Sequence, residues 1–193
     1  YQIEVMEAEK ITIGVVGLGL MGSSITTCLL MSGHPVIGLA PLEDDLHYVK
    51  KRITDYLVRS KQEGLISETP DTLLKNLTIT TDYEGLSNCR LVIESTLEDL
   101  EVKKSVFKKI EAVIKPDALL TTNTSAIPIS ILQQYTLYPK RFFGLHWMEP
   151  SHTTRFLEVI CGDLSDITGG EYLCKISEGW GKEPTFLRKD IRG

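Results

Sequence analysis

The chain has 193 residues, of which 42% are hydrophobic and 24% charged, enough apolar material for one sizeable core and too much for wholesale disorder. Its 21 Lys and Arg against 26 Asp and Glu leave a net charge of −5, which argues against a nucleic-acid binder that depends on counterion release. No apolar run reaches the ~18–20 residues that cross a bilayer, and Tyr1-Gln2-Ile3-Glu4-Val5 lacks the basic-then-apolar pattern of a secretory signal. Cys28, Cys89, Cys161 and Cys174 form no CxxC pair and have no histidine at metal-ligand spacing. They read as buried free thiols in a reducing, cytoplasmic setting, with no metal expected.

Along the chain, strands alternate with helices. Ile11 to Gly17 is a compact apolar run ending in glycine, as a buried parallel strand requires. Ser23 to Ser32 reads as a helix and Pro35 to Leu39 as a second strand. From Asp44 to Glu63, the spacing of Leu46, Val49, Ile53 and Leu57 predicts an amphipathic helix that Gly64 ends. Pro70 to Leu77 reads as a short helix returning the chain to the sheet, and the two helices together as a pair projecting from the sheet edge. Leu77 to Thr81 is a third strand, rich in β-branched residues. Leu91 to Glu94 is a fourth, followed by a helix over Glu101 to Ile114 that Pro116 closes. Ala118 to Thr121, Phe142 to His146 and Leu157 to Ile160 are later strands, and Glu171 to Trp180 a last helix. This order predicts an α/β fold, a mostly parallel sheet with helices on both faces.

Gly17-Leu18-Gly19-Leu20-Met21-Gly22 follows the first strand directly and opens a helix. That is the context of a dinucleotide fingerprint and makes the sheet Rossmann-type. The first glycine makes the tight turn, the second lets backbone approach a pyrophosphate, and the third packs helix on strand. An acid should end the second strand if NAD is the cofactor, because it accepts from the ribose hydroxyls. Here that strand runs into Ala40-Pro41. Glu43, Asp44 and Asp45 follow; they read first as acids favoured in the first turn of a helix, and one reaching the ribose is the alternative. No Arg or Lys between Ala40 and Asp45 favours a 2′-phosphate, so NAD is the expected cofactor.

These residues, taken with later ones, resemble a known family. The fingerprint, Leu91-Val92-Ile93-Glu94 with Glu98, Leu100-Glu101-Val102-Lys103, Thr122-Asn123-Thr124-Ser125, Gly144-Leu145-His146 and Leu157-Glu158-Val159-Ile160 follow the order and spacing of the NAD-binding domain of 3-hydroxyacyl-CoA dehydrogenases. The resemblance spans about Ile11 to Gly193. It implies that His146 is the catalytic base or acid, Glu158 its partner, and Ser125 the hydroxyl that holds the substrate oxygen. It places Gly17, Gly19, Leu20, Met21, Gly22, Glu94, Lys103 and Asn123 at the cofactor or the site. Removing hydride from a carbinol carbon leaves a proton for a base, and an imidazole oriented by a carboxylate suits that task. Alone, His146 would read as a hydrogen-bonded structural histidine, Ser125 as a turn residue, and Glu94 and Lys103 as solvated or capping charges. Lys50-Lys51-Arg52, Arg59 and Lys61 read as a solvated helix face, although the resemblance implies a region that helps bind coenzyme A.

The chain departs from the family after His146, where Trp147-Met148-Glu149-Pro150 puts an acid at the position of the family asparagine. An acid there is expected to alter the electrostatics beside the histidine and raise its pKa. His152 is new in this loop and receives no catalytic role. The implied activity is interconversion of L-3-hydroxyacyl-CoA and 3-oxoacyl-CoA, with an acyl-CoA substrate. A dehydrogenase of a free 3-hydroxy or sugar acid and a non-catalytic nucleotide-binding module are the alternatives. The resemblance also implies that residues 1–193 are one cofactor domain, without the helical domain that follows in the family and makes its homodimer. By that reading the chain alone has negligible dehydrogenase activity.

Overall fold

Short apolar runs become the strands of one sheet. In this computed structural model the described residues are 10–40 and 46–190; Tyr1 to Val5, Glu43, Asp44, Asp45 and Ile191 to Gly193 lie outside them. The elements are β1 (Ile13–Val16), α1 (Leu20–Met31), β2 (Val36–Leu39), α2 (Leu46–Gln62), α3 (Pro70–Leu74), β3 (Leu77–Thr80), β4 (Leu91–Glu94) and α4 (Leu100–Glu111). They continue as β5 (Leu119–Thr122), α5 (Ile129–Gln133), β6 (Phe142–Trp147), β7 (Phe156–Cys161), α6 (Ile167–Glu178) and β8 (Glu183–Leu187). The strand order is β3-β2-β1-β4-β5-β6-β7-β8. Strands β1 to β6 run parallel; β7 pairs antiparallel with β6, and β8 parallel with β7.

The expected Rossmann-type sheet is therefore present, with helices on both faces. Side chains alternate across it. Ile13, Val15 and Ile93 face one core with Ile25 and Leu29 of α1, Ile53 and Leu57 of α2, and Leu173 of α6. Val16, Leu39 and Val92 face the other with Phe107 and Ile110 of α4 and Leu132 of α5. The helical pair after β2 is also present, but it does not stand away from the sheet edge. Val49, Ile53 and Leu57 of α2 and Leu73 of α3 are buried in the same core as α1. Their burial, at ~1.5–3 kcal/mol for each large apolar side chain, holds α2 against α1.

Several boundaries differ from the sequence reading. Helix α1 begins at Leu20, not Ser23, because the last glycine of the fingerprint lies inside its first turn. Helix α3 stops at Leu74, since the chain must extend by Leu77 to pair with Val36. Helix α4 stops at Glu111 and α6 starts at Ile167, behind the cap Asp166. The elements α5 and β8 were not anticipated.

Candidate active site

The chain turns from β1 into α1 through Gly17, whose φ of +92° suits a residue without a side chain. A Cβ on Gly17 would lie 2.5 Å from the Ser95 carbonyl oxygen, and one on Gly22 1.8 Å from that of Gly17. Those two glycines are required for packing. Gly19 is different: nothing stands within 4 Å of its would-be Cβ, so it faces open space. Helix α1 is also unlike α3, α4 and α6. Those are capped by Thr69, Asp99 and Asp166, whereas α1 has no side-chain cap and no acid in its first turn. Its free N–H groups and dipole are available to an anion.

The open space belongs to a cavity of about 710 Å³ at the carboxyl ends of β1 and β4. The chain leaves β1 for β2 on one side of that point and later enters β4 on the other, so the cavity sits at the switch point of the sheet, where dinucleotides bind. Gly17, Gly19, Leu20, Met21 and Gly22 all line it, as do Asn123 and Ser125. An uncapped helix end, a glycine with no side chain to intrude, and a long cleft fit a dinucleotide. At the end of β2 the wall is Leu39 and Ala40, completed by Tyr48, Val49 and Arg52 of α2. Arg52 does not lie on a solvated face. Its Nη1 donates to the Leu18 carbonyl and to Ser23 Oγ, both at 3.3 Å, while its neighbour Lys51 pairs with Asp55 in solvent.

Glu94 and Lys103, expected at the cofactor, stand behind this wall and do not line it. Lys103 Nζ lies 2.5 and 3.0 Å from the two carboxylate oxygens of Glu94, and both residues are fully buried. Thr96 and Thr122 donate their hydroxyls to the same carboxylate. Burial pushes the Glu94 carboxyl upward, while the ammonium and the hydroxyls oppose it. The pair joins the end of β4 to α4, and Asn123 extends the join. Its N–H donates to the Glu94 carbonyl, and its Oδ1 accepts from the backbone N–H of Trp147 on β6 at 2.9 Å.

Glu98 is a cavity-lining residue that the sequence reading left without a role. It accepts from the Thr124 hydroxyl and, at 3.2 Å, from the backbone N–H of Ser125. The serine loop is thus held by Thr124 and by backbone, which leaves the Ser125 side chain exposed on the wall. The clue in the sequence was position alone: an acid in the loop after a strand beside the fingerprint.

His146 and Glu158 face each other because β6 and β7 pair antiparallel with these two residues in register. His146 Nδ1 lies 2.9 Å from Glu158 Oε2, and each side chain is about 30% exposed. An Nδ1–H donated to the carboxylate leaves Nε2 as the basic nitrogen. Phe156 packs edge-on against the imidazole. Glu149, expected to act on His146, is engaged elsewhere. It accepts from Ser24 Oγ at 2.7 Å, and Ser24 Oγ in turn accepts from the Ser151 N–H, so the loop is tied to α1. Its charge acts on Tyr56 and His152, which stack with ring centroids 4.7 Å apart. Burial raises the Tyr56 hydroxyl and lowers the His152 imidazole.

The four thiols form no disulfide, and burial lifts Cys28 to about 11 and Cys89 to about 12, which makes both inert. Among the described residues no cluster of three or more metal-ligating side chains occurs, and no helix is long and apolar enough to cross a membrane.

Known proteins are similar to this chain in sequence and fold. The family model of the 3-hydroxyacyl-CoA dehydrogenase NAD binding domain matches residues 12–191. A probable 3-hydroxybutyryl-CoA dehydrogenase of Deinococcus radiodurans is 31% identical over 171 residues, which is 89% of this chain and 62% of that protein. The 3-hydroxyadipyl-CoA dehydrogenase of Escherichia coli is 35% identical over 177 residues, 90% of this chain and 37% of that protein. Among solved structures, (S)-3-hydroxybutyryl-CoA dehydrogenase from Ralstonia eutropha superposes with a TM-score of 0.89 at 26% identity, over 94% of this chain and 64% of that one. The chain thus spans less than two thirds of the length of each of these relatives. With the fingerprint, the cavity at the switch point and a family match over nearly all its residues, the chain belongs to the NAD-binding domain family of 3-hydroxyacyl-CoA dehydrogenases, a family of NAD-dependent oxidoreductases.

Proposed function

We propose that this chain is the cofactor-binding and proton-transfer part of an enzyme that interconverts L-3-hydroxyacyl-CoA and 3-oxoacyl-CoA. Bound NAD supplies the hydride acceptor. The glycine loop and the α1 N-terminus hold its pyrophosphate, and Asn123 and Ser125 border the same cavity. His146 Nε2 takes the proton of the 3-hydroxyl on oxidation and returns it on reduction. Glu158 keeps Nδ1 protonated and steadies the imidazolium that forms. Ser125 holds the substrate oxygen beside the reacting carbon. The remaining length of the longer relatives is assigned to the helical domain that closes the cleft and forms the dimer, and the compartment to the cytoplasm.

The observation that carries this reading is the in-register His146–Glu158 pair, about 30% exposed and two strands from the cofactor cleft. The test is oxidation of NADH by the full-length protein with acetoacetyl-CoA, followed at the nicotinamide absorbance band. Turnover with acetoacetyl-CoA, and little by the 193-residue chain alone, is expected. A full-length protein that turns over free acetoacetate as fast as its CoA ester would instead support the free-acid dehydrogenase, which the altered loop from Glu149 to His152 favours. Stoichiometric NADH binding with no turnover of either substrate would support the non-catalytic module.

A further inference from the structure

His146 and Glu158 sit near the open end of their hairpin. The β6–β7 ladder runs from Phe143–Cys161 to Trp147–Leu157, so a single residue pair separates them from the loop of residues 148–155. The end of a ladder opens readily unless the loop beyond it is fastened. This loop is fastened twice, by side chains from remote parts of the chain. At its far end Lys182, buried just before β8, donates through Nζ to the Ser151 and Thr154 carbonyls. That secures the backbone turn in which the Thr153 and Thr154 N–H groups donate to the Pro150 carbonyl. At its near end Ser24, fully buried on α1, donates through Oγ to Glu149 Oε2 at 2.7 Å and accepts from the Ser151 N–H at 3.2 Å. The same Oγ lies 3.1 Å from the carbonyl of Met21, a residue of the first turn of α1 that lines the cofactor cavity. Asn123 fixes the Trp147 N–H at the end of β6, and Ser24 fixes the chain that leaves it.

We propose that Ser24 is a positioning residue for the proton-transfer pair, acting through Glu149 and the Ser151 backbone. By holding the start of the loop against α1, it keeps the last rungs of the β6–β7 ladder closed. His146 Nδ1 then stays on Glu158, and Nε2 keeps a fixed place relative to the helix whose N-terminus faces the cofactor. A hydroxyl suits the task because it gives one hydrogen bond and takes another; alanine would keep the helix and make neither. Glu149 serves as an acceptor for a neutral hydroxyl, so its oxygen matters here and its charge does not. The role rests on the reading of His146 as the proton-transferring group, but the geometry it protects can be followed without turnover.

Ser24→Ala in the full-length protein tests this, with two readouts. In reduction of acetoacetyl-CoA, kcat should fall by about tenfold, while KM for acetoacetyl-CoA and Kd for NADH stay within about threefold. In imidazole nitrogen NMR of histidine-labelled protein, the His146 signals, assigned by their loss in His146→Ala, should show a smaller share of the Nδ1–H tautomer. A kcat within about threefold of the unchanged protein overturns the proposal, and so does an unchanged tautomer share. Loss of NADH affinity in step with kcat also overturns it, because Ser24 would then serve the cofactor helix alone. The second arm leaves the buried serine in place. Glu149 is exposed, and Glu149→Ala removes one of the two bonds from the loop side without touching α1. It should lower kcat and the Nδ1–H share by less than Ser24→Ala does, and Glu149→Gln, which still accepts from Ser24, should restore both. An effect of Glu149→Gln as large as that of Glu149→Ala would assign the role to the charge and overturn the proposal; so would no effect of either. If the unchanged full-length protein turns over no substrate, the catalytic reading fails by itself, and the tautomer share still decides whether Ser24 positions His146.

Discussion

Two carboxylate–base pairs are built on the same sheet and serve opposite ends. Glu94 and Lys103 meet at 2.5 Å with neither side chain exposed, and every oxygen of the carboxylate is used within the protein. Glu158 and His146 meet at 2.9 Å with about 30% of each exposed, and the distal imidazole nitrogen is left over. The first pair is closed and holds β4, β5 and α4 in place behind the cofactor cleft. The second is open on one side and presents a nitrogen free to take or give a proton. What separates structure from chemistry here is whether a polar atom remains unspent, and not the strength of the pairing.

The closed pair should yield the largest effect on stability. Lys103→Met leaves the Glu94 carboxylate buried without its counter-ion, and should cost about 3–5 kcal/mol in denaturant unfolding. Adding Glu94→Gln to that variant should recover part of the loss, since no buried charge then remains. The open pair should behave in the reverse sense. Glu158→Gln in the full-length enzyme should leave the unfolding midpoint nearly unchanged and lower kcat by about a hundredfold, because the imidazole loses the negative charge that fixes its tautomer and steadies the imidazolium. A large loss of stability from this change would erase the contrast.

A second histidine sharpens the comparison. His34 is closed on both nitrogens: Nδ1 faces the Ile11 carbonyl at 3.0 Å, and Nε2 accepts from Trp180 Nε1 at 2.9 Å. Burial holds its pKa below the ordinary 6.5. The folded state then refuses a proton that the unfolded chain takes. Its stabilising contribution is present above pH 6.5 and is lost as pH falls below that value, with a slope of up to ~1.4 kcal/mol per pH unit. His152, lowered by its own burial, adds in the same direction. His34→Gln should flatten the dependence of unfolding free energy on pH below about 6.5. The smallest effect belongs to the exposed pair Lys51–Asp55, where Lys51→Ala should change stability by less than ~1 kcal/mol.

The parts legible in the sequence were those that local chemistry determines. A glycine run between an apolar strand and a helix defines the cofactor turn whatever surrounds it, and the spacing of Val102, Val106 and Ile110 defines a helix face. Strand β8 was not legible, because Glu183-Pro184-Thr185-Phe186-Leu187 contains a proline. That residue is tolerated because β8 is an edge strand paired with β7 alone. Helix α5 is too short, at five residues, to show a period. Arg52 was hidden by its neighbours: in sequence it closes a basic run, and only the docking of α2 on α1 turns it inward while Lys51 stays outside. Glu149 misled for the same reason, since its partner Ser24 is 125 residues away.

The most direct test concerns the unspent nitrogen. His146→Ala in the full-length protein should lower NADH-dependent reduction of acetoacetyl-CoA by at least about a hundredfold, while the affinity for NADH stays within about threefold of the unchanged protein. Turnover that survives the substitution would contradict the assignment of His146 as the proton-transferring group.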